Sequence, residues 1–265
     1  MTNWAANSFF YHIYPLGFCG APEVNDLSKP VVNRLDCIYK AIDHMKDLKV
    51  NALYLGPVFE SSAHGYDTID YYTVDRRLGS NEDLTKLVST LHDNGIKVIL
   101  DGVFNHVGRD FWAFKDVQEK QGYSMYCDWI HGLNFNNHSC YGDPFSYSGW
   151  EGHFNLVKLN LSNYHVKQHI FGAVEKWIRE FNIDGLRLDV AYCIDINFLK
   201  ELRNFCKTLK PDFWLMGETL HGDYRRWVNN ETLDSVTNYE CYKGLFSSHN
   251  DKNYYEIGAS LARQF

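Results

Sequence analysis

Short apolar runs alternate along the chain with longer amphipathic stretches. Apolar runs of strand length fall at 8–14, 51–55, 96–101, 184–189, 213–218 and 235–239. Between them, apolar positions recur every three or four residues over about 33–48, 81–94, 163–181 and 195–209, which predicts helices. Strands that are apolar throughout, each followed by a helix, predict parallel βα units covered on both faces. Repeated in this way they predict an α/β fold, either a doubly wound sheet or a (β/α)₈ barrel, that is, a TIM barrel. After the sixth strand the remaining stretch, 239–265, reads as helical and the pattern stops at about six βα units.

The stretch 106–160 breaks the alternation. Gly, Tyr, Trp, Asn and His follow one another there without a clear helical period. A structureless loop of that length is improbable inside a compact domain, so a small inserted domain is expected. It leaves the C-terminal end of the third strand, where a barrel keeps its active-site loops. The expected organisation is a barrel domain from 1–105 and 161–265, with 106–160 inserted.

Composition narrows the class of partner. The formal net charge of -7 disfavours non-specific attraction to nucleic acid or to an anionic membrane. No apolar run approaches the length needed to cross a bilayer. Seven cysteines, an odd number without a Cys-x-x-Cys pair, argue against a complete disulfide framework and against a zinc knuckle. Together with a first segment that reads as a strand and not as a signal peptide, this points to the cytoplasm.

Polar residues gather at the strand ends. The third strand ends in Asp101-Gly-Val-Phe-Asn105-His106, the fourth carries Arg187 and Asp189, and the fifth ends in Gly217-Glu218. The second leads through Pro57 into His64-Gly65-Tyr66-Asp67. Side chains alternate along a strand, so Arg187 and Asp189 share a face. A guanidinium beside Asp189 is expected to keep that carboxyl ionised. The apolar run before Glu218 is expected to desolvate its carboxyl and favour the protonated form. An ionised and a protonated carboxyl flanking one bond are what glycoside hydrolysis requires. Other polar residues read as structural: His131, His138 and His153 as surface or turn residues, Asp75, Arg76 and Arg77 as a solvated loop, and Asp184 as a turn residue at the end of a strand remote from the site. Trp112, Trp129 and Trp150 read equally as sugar platforms or as core of the inserted domain.

These motifs, in this order, resemble glycoside hydrolase family 13, the α-amylase family, over essentially the whole chain. DGVFNHV is similar to the first family signature, DGLRLDVA to the second, WLMGE to the third, HGYDTIDYY to the segment bearing a sugar-stacking Tyr, and LVKLN to the signature closing the inserted domain. The resemblance implies catalytic roles for Asp189 as nucleophile, Glu218 as acid/base and Arg187 as positioning partner. It implies substrate contacts for Tyr66, Asp67 and His106, with Asp101 supporting the site. It further implies a retaining double displacement on α-1,4-linked glucans or maltodextrins. No cofactor is required by that chemistry. Calcium, which many relatives bind, has no support beyond a backbone oxygen that Cys193 could offer.

Two departures matter. Tyr192-Cys193 stands where many amylases carry Lys-His after the nucleophile, which leans toward short maltodextrins or cyclic dextrins. The family's fourth signature, Asn-His-Asp with a third carboxylate, is absent. An incomplete barrel is therefore expected, with the missing C-terminal part supplied by a separate chain; the alternatives are a truncated product and a non-catalytic carbohydrate-binding or assembly subunit. A transglycosylase is the competing enzymatic reading.

Overall fold

The computed structural model describes residues 4–264. Six parallel strands form one curled sheet in sequential order: β1 (Phe10–Ile13), β2 (Ala52–Leu55), β3 (Lys97–Gly102), β4 (Gly185–Leu188), β5 (Trp214–Gly217) and β6 (Ser235–Val236). Among the described residues no ladder joins β6 to β1, so the molecule is an incomplete TIM barrel with two edges. Trp4, in the short 3₁₀ turn Trp4–Asn7, reaches across the base of the opening. Its indole N–H donates to the Asp212 carbonyl at 2.9 Å, and its ring lies 6.3 Å from that of Trp214.

Helices pack on the outside. They are α1 (Ile42–Asp47), α2 (Asn81–Asp93), α3 (Tyr164–Glu180), α4 (Ile196–Leu209), α5 (Tyr239–Asn250) and α6 (Tyr254–Gln264). Each of the three long ones begins at a side-chain cap. Ser80 and Asp83 form a reciprocal capping box on α2, and Asn163 and Asp195 cap α3 and α4. The buried stripe of α2, Leu84, Leu87, Val88 and Leu91, has the spacing of one helix face. The expected single helix over 33–48 is two short ones, Asp36–Tyr39 and α1. The sixth strand stops at Val236 because the Asn238 side chain accepts from the Cys241 N–H and starts α5.

The sheet's two faces differ in a way the incomplete closure explains. Outward residues Leu53, Leu55, Val98, Leu100, Leu186, Leu188 and Leu215 are fully buried beneath the helices. On the inward face Ile99 is sealed, but His12, Tyr54, Trp214 and Met216, nearer the edges, keep access to solvent. The core therefore lies between sheet and helices, and the concave side is a trough.

Two excursions leave the C-terminal rim. After β2 an antiparallel hairpin pairs Phe59–Ser61 with Thr68–Val74. Its base holds a correction to the sequence reading: Asp75 and Arg77 do not form a solvated loop. They are 1% and 4% exposed and paired at 2.7 Å. Arg77 also donates to the backbone carbonyls of Pro22, Glu23 and Ala63, which locks the loop after β1 to the hairpin. After β3 the inserted stretch builds a three-stranded antiparallel sheet, with His153–Lys158 between His106–Gly108 and Gly149–Trp150. It also contains a helix, Trp112–Lys120, which the mixed composition had hidden. Among the described residues no helix is long and apolar enough to cross a membrane.

Candidate active site

The site is built around one guanidinium. Arg187, near the C-terminal end of β4, donates through Nη1 to both oxygens of Asp101 (2.8 and 2.9 Å) and to Asp189 Oδ1 (3.0 Å). Its Nη2 lies 2.8 Å from Glu218 Oε2. Registration dictates this: Asp101 is paired with Arg187 across β3 and β4, so their side chains leave the sheet on one face. Asp189 and Glu218 follow β4 and β5 at the same rim. Asp101 is fastened from the other side by the Tyr54 hydroxyl, 2.7 Å from Oδ2.

Three carboxyls share one cation, and that reverses an expectation from the sequence. Burial, joined by the negative charge of Asp101, outweighs Arg187 and holds the Asp189 carboxyl up to about 7. Asp101, sealed from solvent, is likewise raised by burial. Arg187 offsets only one negative charge, so the surroundings work against ionising all the carboxyls at once, which the pairwise reading of Arg187 with Asp189 did not foresee. The Glu218 carboxyl meets two donors: Oε2 accepts from the Val190 N–H at 3.0 Å, and Oε1 faces the Tyr239 hydroxyl at 3.4 Å. Val190 achieves this in the left-handed region, φ 40° and ψ 47°, a conformation that a β-branched residue adopts only at a cost.

A cleft of about 550 Å³ opens over Arg187, Asp189 and Glu218. Tyr66 and His106 line it, together with His64. Tyr66 is presented by a turn at Gly65, where φ is +93° and a β-carbon would lie 2.7 Å from Pro57 Cβ. His106 Nε2 is buried without a hydrogen-bond partner and lies 3.7 Å from Asp189 Oδ2. Burial pulls the His106 imidazole down to about 4, so the ring is neutral at neutral pH.

Asp67, expected as a substrate contact, and Asp101, expected to support the site, do not line the cleft. Asp101 lies beneath Arg187, and the Asp67 carboxylate is turned back to accept from the Gly65 N–H at 3.1 Å. Both brace residues that do line it. Conversely, Tyr192, noted in the sequence as a departure, lines the cleft, as do Glu151 and Leu220, which sequence reasoning passed over, and His153, which it set aside as a surface residue. His153 is exposed, but it stacks on Trp150 (5.3 Å, 23°) as part of the cleft wall. Trp150 lines the cleft as well, whereas Trp129 is buried in the inserted segment. Calcium needs six to eight oxygen ligands. The described residues contain no group of three or more His, Cys, Asp or Glu arranged to hold a metal, and near the inserted sheet Asn105 Oδ1 offers one unpaired oxygen.

Residues 13–262 match the family model described as alpha amylase, catalytic domain. The chain belongs to the alpha-amylase family. Among alpha-amylase family members it is 38% identical to a cyclomaltodextrinase of Thermoanaerobacter pseudethanolicus, over 89% of this chain and 43% of that protein. It is 35% identical to an intracellular maltogenic amylase of Bacillus subtilis, over 89% of this chain and 42% of that protein. The cyclic alpha-maltosyl-(1-->6)-maltose hydrolase from Arthrobacter globiformis, in complex with maltose, superposes with a TM-score of 0.85 at 30% identity, over 98% of this chain and 62% of that one. The chain thus spans less than half the length of the curated relatives it matches.

Proposed function

We propose that this chain carries the cleft of a retaining α-glucan hydrolase that cleaves α-1,4 bonds in maltodextrins or cyclic dextrins. The observation that carries the reading is the Arg187 hub, which gathers Asp189 and Glu218 at the rim of one cleft. Two carboxyls sharing one guanidinium favour the short separation of retaining enzymes, about 5–5.5 Å, over the about 6.5–9.5 Å that leaves room for a water. Asp189 attacks the anomeric carbon. Glu218 protonates the leaving oxygen and then takes a proton from the water that releases the sugar. Neutral His106 offers its unpaired ring nitrogen to a sugar hydroxyl, and Tyr66 presents its ring to the sugar face. Arg187 positions both acids and Asp101 holds Arg187. Calcium enters no step.

The names of the relatives support this substrate class, and the intracellular relative together with seven cysteines free of disulfides supports a cytoplasmic location. The test is proton NMR of the first product released from maltotriose or β-cyclodextrin. The α-anomer is expected first; the β-anomer would mean inversion and would remove Asp189 as nucleophile. Added maltose that lengthens the products would reassign the second step to glycosyl transfer.

A further inference from the structure

A hydrogen bond ties the inserted segment to the barrel across the cleft. Glu151 sits in the tight turn between Gly149–Trp150 and His153–Lys158, held at φ 45° in the left-handed region. The turn carries its carboxylate toward the loop that follows Asp189. There the Tyr192 hydroxyl donates to Glu151 Oε1 at 3.1 Å. Tyr192 belongs to the 3₁₀ turn Ala191–Cys193, next to the strained Val190. Both residues line the same cleft as Asp189 and Glu218.

The bond is placed to close and built to open. Glu151 is exposed, and among the described residues its carboxylate meets no Lys or Arg within ion-pair distance. A hydrogen bond at a solvated turn has a small net worth, so a ligand that needs its space can displace it. While it stands, it joins insert and barrel at the wall of a cleft of about 550 Å³, a size that suits a short oligomer.

We propose that Glu151 and Tyr192 form a latch across the cleft that selects α-glucans by length: short oligomers seat beneath it, and a longer chain must first break it. This rests on the α-glucan reading above.

Calorimetric titration of the full chain with maltotriose and with maltoheptaose tests the latch, the readout being the ratio of the two dissociation constants. Tyr192→Phe removes the hydroxyl and keeps the ring. It is expected to shift the ratio about fivefold in favour of maltoheptaose, equivalent to ~1 kcal/mol. Glu151→Gln keeps an acceptor oxygen for the Tyr192 hydroxyl and is expected to hold the wild-type ratio. An unchanged ratio in Tyr192→Phe, or a parallel loss for both sugars, overturns the latch and leaves the α-glucan reading standing. A wild-type chain that binds neither sugar overturns both.

Discussion

Arg187 decides the electrostatics of the site, because a single guanidinium contacts Asp101, Asp189 and Glu218. Asp189 has a carboxyl pKa raised above its unfolded value, so the stability it contributes is present below about 4 and is lost as pH rises through about 7. Asp189→Asn removes that loss. Thermal unfolding should show the variant more stable than the parent by about 1–2 kcal/mol near pH 8, after allowance for the charge shared with Arg187, and little changed near pH 4. The same variant should lower turnover by about 10³-fold or more, measured on maltotriose. Asp101 adds a negative charge that raises Asp189. Asp101→Asn should therefore move the acid limb of the kcat/KM profile to lower pH, whatever it does to the maximum.

At the scale of elements, the fold is held at its base by a second buried carboxylate. Asp184, just ahead of β4, is pushed up by burial but held well below the usual carboxylate range by donors: His92 at 2.6 Å, the Val98 N–H at 2.9 Å, and Lys210 and Lys97 at 2.9 Å each. These come from α2, β3 and the end of α4, so one side chain joins three elements. A depressed pKa gives stability above the ordinary value of about 4 that is lost as pH falls toward the folded value. Asp184→Asn should cost about 2 kcal/mol in chemical denaturation near pH 7, the lysines being partly exposed, and the difference should shrink in acid. Arg77→Met should cost more, about 3–5 kcal/mol, since it strands a buried Asp75.

These two residues also show what the sequence could and could not reveal. Strands and long helices were legible because their periods are local, and the site was legible because its carboxyls stand at strand ends. Asp184, read as a turn residue, is instead a buried anchor, because its donors His92, Lys97 and Lys210 lie far from it in sequence. The burial of Arg77 was invisible because its partners, the carbonyls of Pro22, Glu23 and Ala63, carry no side-chain signature. The raised Asp189 was missed because Asp101 reaches it only through β3–β4 registration, and Glu151 because nothing local marks it as a partner of Tyr192.

For the whole molecule, the open sheet matters most. Leu215 and Met216 are neighbours on β5, yet Leu215 is fully buried under helices and Met216 faces the trough with solvent access. Leu215→Ala should cost about 3 kcal/mol and Met216→Ala about 1 kcal/mol or less, compared by urea unfolding. In a closed barrel the side chains pointing to the axis are shut in by their neighbours across the lumen. Here the axial positions His12, Tyr54 and Met216, near the two flanks, keep access to solvent. A saturation library scored for folding should thus alternate along each flanking strand, permissive at one position and intolerant at the next, with the permissive set on the side that barrels ordinarily guard.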